Sequence, residues 1–91
     1  MEKIILDFTN CKHLGEIHKV LKESFEFPDY YGRNWDALWD CLRDYSDDPL
    51  RVEIHGLHAL PKELKERMKI MLEIFDDVHA DTPNVEFVVI S

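Results

Sequence analysis

The amino-acid sequence predicts an α/β fold, a small parallel sheet covered by helices, and three observations carry that expectation. Two short apolar runs, at residues 4–8 and 85–90, and an apolar-polar alternation at 50–55 have the length and content of strands. The stretches between them carry apolar residues at helical spacing. Those stretches are also long enough to return the chain for parallel pairing, which a tight hairpin cannot do. With 91 residues, the chain is expected to form a single domain, residues 1–91.

Ile4-Ile5-Leu6-Asp7-Phe8 is nearly continuous in apolar residues, so the first strand is expected to be buried on both faces. Thr9 or Asn10 is the expected cap for a helix over residues 12–25. Leu14, Ile17, Val20 and Leu21 form its apolar side, opposite Glu16, Lys19, Lys22 and Glu23, and Gly15 weakens its first turns only slightly. Phe27-Pro28-Asp29 ends it, because a residue before proline is pushed out of the helical region.

Asn34 then caps a second helix running to about Tyr45. Its apolar face is Trp35, Leu38, Trp39, Cys41, Leu42 and Tyr45, while Asp36, Asp40 and Asp44 run down a separate stripe with Trp39 at the border. After an acidic turn closed by Pro49, Leu50, Val52 and Ile54 alternate with Arg51, Glu53 and His55, and Gly56 ends that strand. Pro61 opens a long helix in which Leu64, Met68, Met71, Leu72, Phe75 and Val78 keep helical spacing, so both methionines are expected in the core. Pro83-Asn84 breaks it, and Val85 to Ile90 forms a third strand, again expected to be buried.

Composition narrows the function classes. Nineteen acidic against eleven basic residues give a net charge of −8, which repels nucleic acid at long range and attracts a basic partner. Neither a membrane-spanning run nor a secretory leader is visible, and two cysteines, Cys11 and Cys41, suit a reducing compartment, so the cytoplasm is the expected location. Cys41, beside Leu38 and Leu42, is expected to act as a small buried hydrophobe.

Trp35-Asp36-Ala37-Leu38-Trp39-Asp40 repeats a Trp-Asp pair four residues apart, which makes Asp36 and Asp40 like-charged neighbours on one helical face. Such a pair costs an isolated helix roughly 0.2–0.5 kcal/mol. Glycosidase-type catalysis needs carboxyls on opposite sides of a bond in different environments, and these two are adjacent and alike. The acidic run from Asp44 to Asp48 lacks the Gly and terminal Glu of a calcium loop, and His55 and His58 lack further ligands at zinc spacing, so no metal or other cofactor is expected. No phosphate loop or nucleophile elbow is present. Binding remains: residues 29–44 combine Tyr30, Tyr31, Trp35 and Trp39 with four aspartates, the mixture that dominates protein interfaces, although Tyr31 and Trp35 are expected to pack into the core.

The segment Pro28-Asp29-Tyr30-Tyr31-Gly32-Arg33-Asn34-Trp35-Asp36-Ala37-Leu38-Trp39-Asp40-Cys41-Leu42 resembles the central signature of the barstar family, intracellular inhibitors of barnase-type ribonucleases. The resemblance extends through the apolar segments, Pro49 and the final strand. It implies a two-layer α/β fold, a three-stranded parallel sheet packed against three to four helices. It also implies a non-enzymatic inhibitor whose second helix and preceding loop plug a ribonuclease active site. Asp40 would then be the central anion, Asp36 would pair with another basic residue, Tyr30 would pack at the mouth and Trp39 at the rim, with Asp77 as a further interface carboxylate. Carboxylates suit a phosphate site because they satisfy its converging Arg, Lys and His donors.

Asn34, Trp35, Arg43 and Asp44 complete the expected partner-binding set, whose partner is a barnase-like ribonuclease or a related basic protein, and the free chain is expected to be a monomer. The sequence departs from the family pattern at Asp77, one carbon shorter than the family's Glu, at Asp76 in place of a basic residue, and at Tyr45 in place of Trp. Arg43 and Asp44 replace small residues and Trp35 replaces Leu; these changes bear on the choice of target. The family also implies a cis bond at Asp48–Pro49. The alternative reading is a module of the same shape that binds another basic protein without inhibiting a nuclease.

Overall fold

The computed structural model describes residues 2–29, 31–32, 34–43 and 49–90. The elements are β1 (Glu2–Asp7), α1 (Leu14–Phe25), α2 (Trp35–Arg43), β2 (Leu50–His55), a 3-10 turn (Leu57–Ala59), α3 (Lys62–Asp81) and β3 (Val85–Val89). The strands form one sheet in the order β1-β2-β3, and both pairings are parallel. Ile4 lies opposite Val52 and Val52 opposite Phe87, which fixes the register and the face that each side chain takes.

Both crossovers step in the same direction across the sheet. With the right-handed sense that such connections take, they lay α1, α2 and α3 on one face. The result is two layers, with Leu50, Val52 and Ile54 buried against the helices.

This topology corrects the expectation that β1 and β3 are buried on both faces. Ile5 is 49 % exposed on the open face, while its neighbour Leu6 is fully buried. Val89 and Ile90 are also exposed, and Phe87 and Val88 are half-buried. An apolar run shows that a strand is apolar, not how many layers cover it. On the open face Glu53 gathers Arg51 at 3.1 Å, His55 at 3.3 Å and Lys3 at 4.0 Å.

The first helix starts two residues later than expected, and its cap is different. Glu16 Oε1 accepts the amides of Lys12 at 2.9 Å and His13 at 3.1 Å, so the first turn is closed from inside the helix. Thr9 serves the preceding turn: its hydroxyl and amide both donate to Asp7 Oδ1, at 2.6 and 3.0 Å. Gly56 sits against this turn with φ of 84°, where an added Cβ would lie 2.5 Å from the Thr9 amide nitrogen. Only glycine fits there.

The core joins all three helices to the inner sheet face through Ile17, Leu21 and Phe25 of α1, Leu38 and Leu42 of α2, and Leu64, Met68, Met71, Phe75 and Val78 of α3. Both methionines are therefore core residues, as their spacing predicts. Phe75 stacks on Phe87 with centroids 4.3 Å apart, which ties α3 to β3.

Candidate functional site

A chain of local contacts sets the second helix in place. Glu26 adopts the left-handed conformation (φ 56°), and its amide and that of Phe27 return to the carbonyls of Glu23 and Lys22, closing α1 as a Schellman motif. Lys22 also reaches Asp29 at 3.1 Å, and the Tyr31 amide donates to the Pro28 carbonyl. Phe27 stacks on Phe25 at 5.2 Å and meets Tyr31 at 5.0 Å. The turn that leads into α2 is thus held by an aromatic row rooted in α1.

His18 completes this row. It is buried on α1, its Nδ1 lies 2.7 Å from the Tyr31 hydroxyl, and its ring lies 4.7 Å from that of Trp35. Sequence reasoning missed it, although its position one residue after Ile17 and three before Leu21 places it on the apolar side of α1. Tyr31 is buried, as expected, and burial holds its phenol well above the ordinary tyrosine range. Trp35 is half-buried, covering the core edge as much as facing outward.

Asn34 caps α2 as its sequence position predicts. Its Oδ1 accepts the Ala37 amide at 2.8 Å, and its Nδ2 donates to the Gly32 carbonyl at 3.3 Å. Leu38 and Leu42 anchor the inner side of the helix, so Asp36 and Asp40 stand exposed on the outer side, one turn apart. Cys41 is half-buried against the core and not enclosed by it, while Cys11 is the buried thiol, its pKa raised by burial.

Trp39 is half-buried at the border of the acidic stripe, and the Arg43 guanidinium lies 5.5 Å from its ring centroid. Arg43 also meets Asp81 of α3 at 4.0 Å, which brings the ends of α2 and α3 together. Asp77, one turn before Asp81, is exposed on the same side of α3.

The Lys and Arg residues of α3 (Lys62, Lys65, Arg67 and Lys69) all lie in its first half, among Glu63 and Glu66, while Glu73, Asp76, Asp77 and Asp81 leave its second half without a Lys or Arg. Acids near a helix C-terminus oppose the helix dipole, so this arrangement has no local benefit. Tyr30, Asp44, Tyr45 and the Asp48–Pro49 bond lie outside the described residues.

Other clefts are small. One of about 300 Å³ lies between α3 and β3, lined by Asp76, His79, Glu86, Phe87 and Val88, and His79 is fixed by a 2.7 Å hydrogen bond from its ring to the Val85 carbonyl. Among the described residues, no group of three or more His, Cys, Asp or Glu side chains is placed to hold a metal ion, and no helix is long and apolar enough to cross a membrane.

The sequence matches the family described as Barstar (barnase inhibitor) over residues 1–91. The chain belongs to the barstar family. The three-stranded parallel sheet under one layer of helices is consistent with a barstar-like fold. A curated relative from Bacillus subtilis (strain 168), named "Putative ribonuclease inhibitor YrdF", is 36 % identical, and the alignment covers 80 % of this chain and 100 % of that protein. In this barstar-family chain, the candidate binding residues are the exposed carboxylates of α2 and those at the end of α3, which Arg43 meets at Asp81.

Proposed function

We propose that this chain inhibits a barnase-type ribonuclease by placing the outer face of α2 in the enzyme's basic active site. Family membership over the whole chain supports a ribonuclease as the partner in kind. The observation that carries the mechanism is the exposed Asp36–Asp40 pair on a helix whose inner side is locked into the core.

A ribonuclease site must gather cationic donors around a phosphate. A carboxylate presented there takes up the same donors, yet it contains no phosphodiester to cleave. Asp40, at the middle of the stripe, takes the central position, and Asp36 meets a second basic residue. Asp77 contributes from α3, while Tyr30, Asn34, Trp35, Trp39 and Asp44 surround the contact. Trp39 and its neighbours exclude water, which strengthens the ion pairs they enclose. The net charge of −8 steers the encounter with a basic enzyme, so association slows as salt rises.

Titrating a panel of barnase-type ribonucleases with the wild-type chain and with Asp36→Ala/Asp40→Ala tests this reading. Stoichiometric inhibition by the wild type that the double substitution abolishes is expected. Equal inhibition by both, or by neither, rejects it; capture of a non-nuclease through the same two aspartates would point to a binding module instead.

A further inference from the structure

We propose that Arg43 is a specificity-determining residue, a cation held beside the Asp36–Asp40 pair, which selects a ribonuclease presenting a carboxylate at the C-terminal end of α2. The inference rests on the reading that this face binds a ribonuclease. Among the described residues of α2, and of α3 beyond Lys69, Arg43 is the one Lys or Arg. It follows Asp40 by three residues, so it stands one turn along the same side of the helix as the central anion.

A surface arginine normally has the freedom to swing away from an unfavourable contact. Here two features limit that freedom. The guanidinium lies over the Trp39 ring at 5.5 Å, and Asp81 meets it from α3 at 4.0 Å. Both Arg43 and Asp81 are more than half exposed, so the pair contributes little to stability. Its consequence is orientation: a planar donor is biased towards the rim by the ring beneath it and the carboxylate beside it.

A ribonuclease with Lys or Arg at the facing position meets a like charge, which disfavours the complex. One with Asp or Glu there gains a charge-assisted hydrogen bond from a donor already oriented. Attraction by Asp36 and Asp40 therefore recruits basic enzymes in general, and Arg43 discriminates among them.

The test uses a barnase-type ribonuclease that the wild-type chain inhibits. Each Asp and Glu on the rim of its active site is replaced by Ala, and Kd is measured against wild type, Arg43→Ala, Arg43→Lys, Asp81→Ala and the charge-matched control Lys69→Ala. Arg43→Ala is expected to weaken binding roughly tenfold and to lose most of its effect when one particular rim carboxylate is absent. Arg43→Lys restores only part of the affinity, because an ammonium lacks the planar fork. Asp81→Ala weakens binding in the same direction, by less, and only when Arg43 is present. Lys69→Ala, with the same change of net charge, leaves discrimination unaltered. Additive cycles with every rim carboxylate, or an equal effect of Lys69→Ala, overturn the role of Arg43 while inhibition by the wild type persists. A wild-type chain that inhibits no such enzyme overturns both this inference and the function on which it rests.

Discussion

At the residue scale, the best-defined contact behind the candidate face is the 2.7 Å pairing of His18 with Tyr31, because it joins α1 to the turn that leads into α2. Replacing Tyr31 by Phe keeps the ring packing and removes the hydroxyl. A loss of about 1–2 kcal/mol is expected, the scale of a buried hydrogen bond, measurable by urea denaturation. Glu26 offers the opposite case. Its left-handed conformation costs a residue with a Cβ about 1 kcal/mol, and Glu26→Gly relieves that cost at the end of α1. A higher urea midpoint with unchanged slope is expected; an unchanged midpoint would show that the turn already accommodates Glu. The helical spacing of His18 put it on the apolar side of α1, but nothing in the sequence named Tyr31 as its partner, and nothing in Phe25-Glu26-Phe27 marks a left-handed residue.

At the element scale, α2 was the most legible part of the chain. Asn34 as cap, Leu38 and Leu42 as inner residues and Asp36 with Asp40 as outer residues all follow from helical periodicity and capping chemistry, and the structure places each of them there. Burial of the flanking strands was misjudged, because periodicity reports polarity along a strand and carries no information on whether a second helical layer exists. The caps of α1 were misassigned for a related reason. Thr9 and Glu16 are both competent capping residues, and the local turn in which Thr9 donates to Asp7 takes Thr9 away from the helix and leaves the cap to Glu16. The Arg43–Asp81 contact was invisible because it depends on how α2 lies against α3. Asn34→Ala removes the cap of a nine-residue helix and is expected to cost about 1 kcal/mol of stability. If α2 carries the binding face, that substitution should also accelerate dissociation from a ribonuclease, which parallel measurements of thermal unfolding and dissociation rate would show.

At the scale of the whole molecule, the carboxylates fall into two groups with different surroundings. Away from the acidic face, three carboxylates work structurally. The Thr9 hydroxyl and amide hold Asp7 below its ordinary 3.8, the Lys12 and His13 amides hold Glu16 below 4.5, and Arg51 and then His55 hold Glu53 below 4.5. Each is depressed in the folded state, so its contribution is present above those ordinary values and is lost as pH falls through the folded ones. Thermal unfolding is therefore expected at progressively lower temperature below about pH 4.5, and Glu16→Gln should flatten part of that decline. An unfolding temperature independent of pH between about 6 and 2 would contradict it. On the other side, Asp36 suits the first turn of α2, but Asp40 repeats its charge one turn later, and Asp77 and the acidic end of α3 oppose that helix's dipole; this exposed excess of charge has a purpose if a basic surface covers it.

The affinity of a barnase-type ribonuclease for the wild-type chain, compared with Asp40→Ala and with the charge-matched surface control Glu66→Ala, tests that purpose most directly. Loss of a carboxylate enclosed by cationic partners costs 2–5 kcal/mol or more, a scale drawn in part from the barnase–barstar complex itself and so not independent of this family. Asp40→Ala is expected to raise Kd on the order of a hundredfold or more with its thermal stability retained, while Glu66→Ala changes Kd less than about threefold. Equal Kd values for the two variants would contradict it.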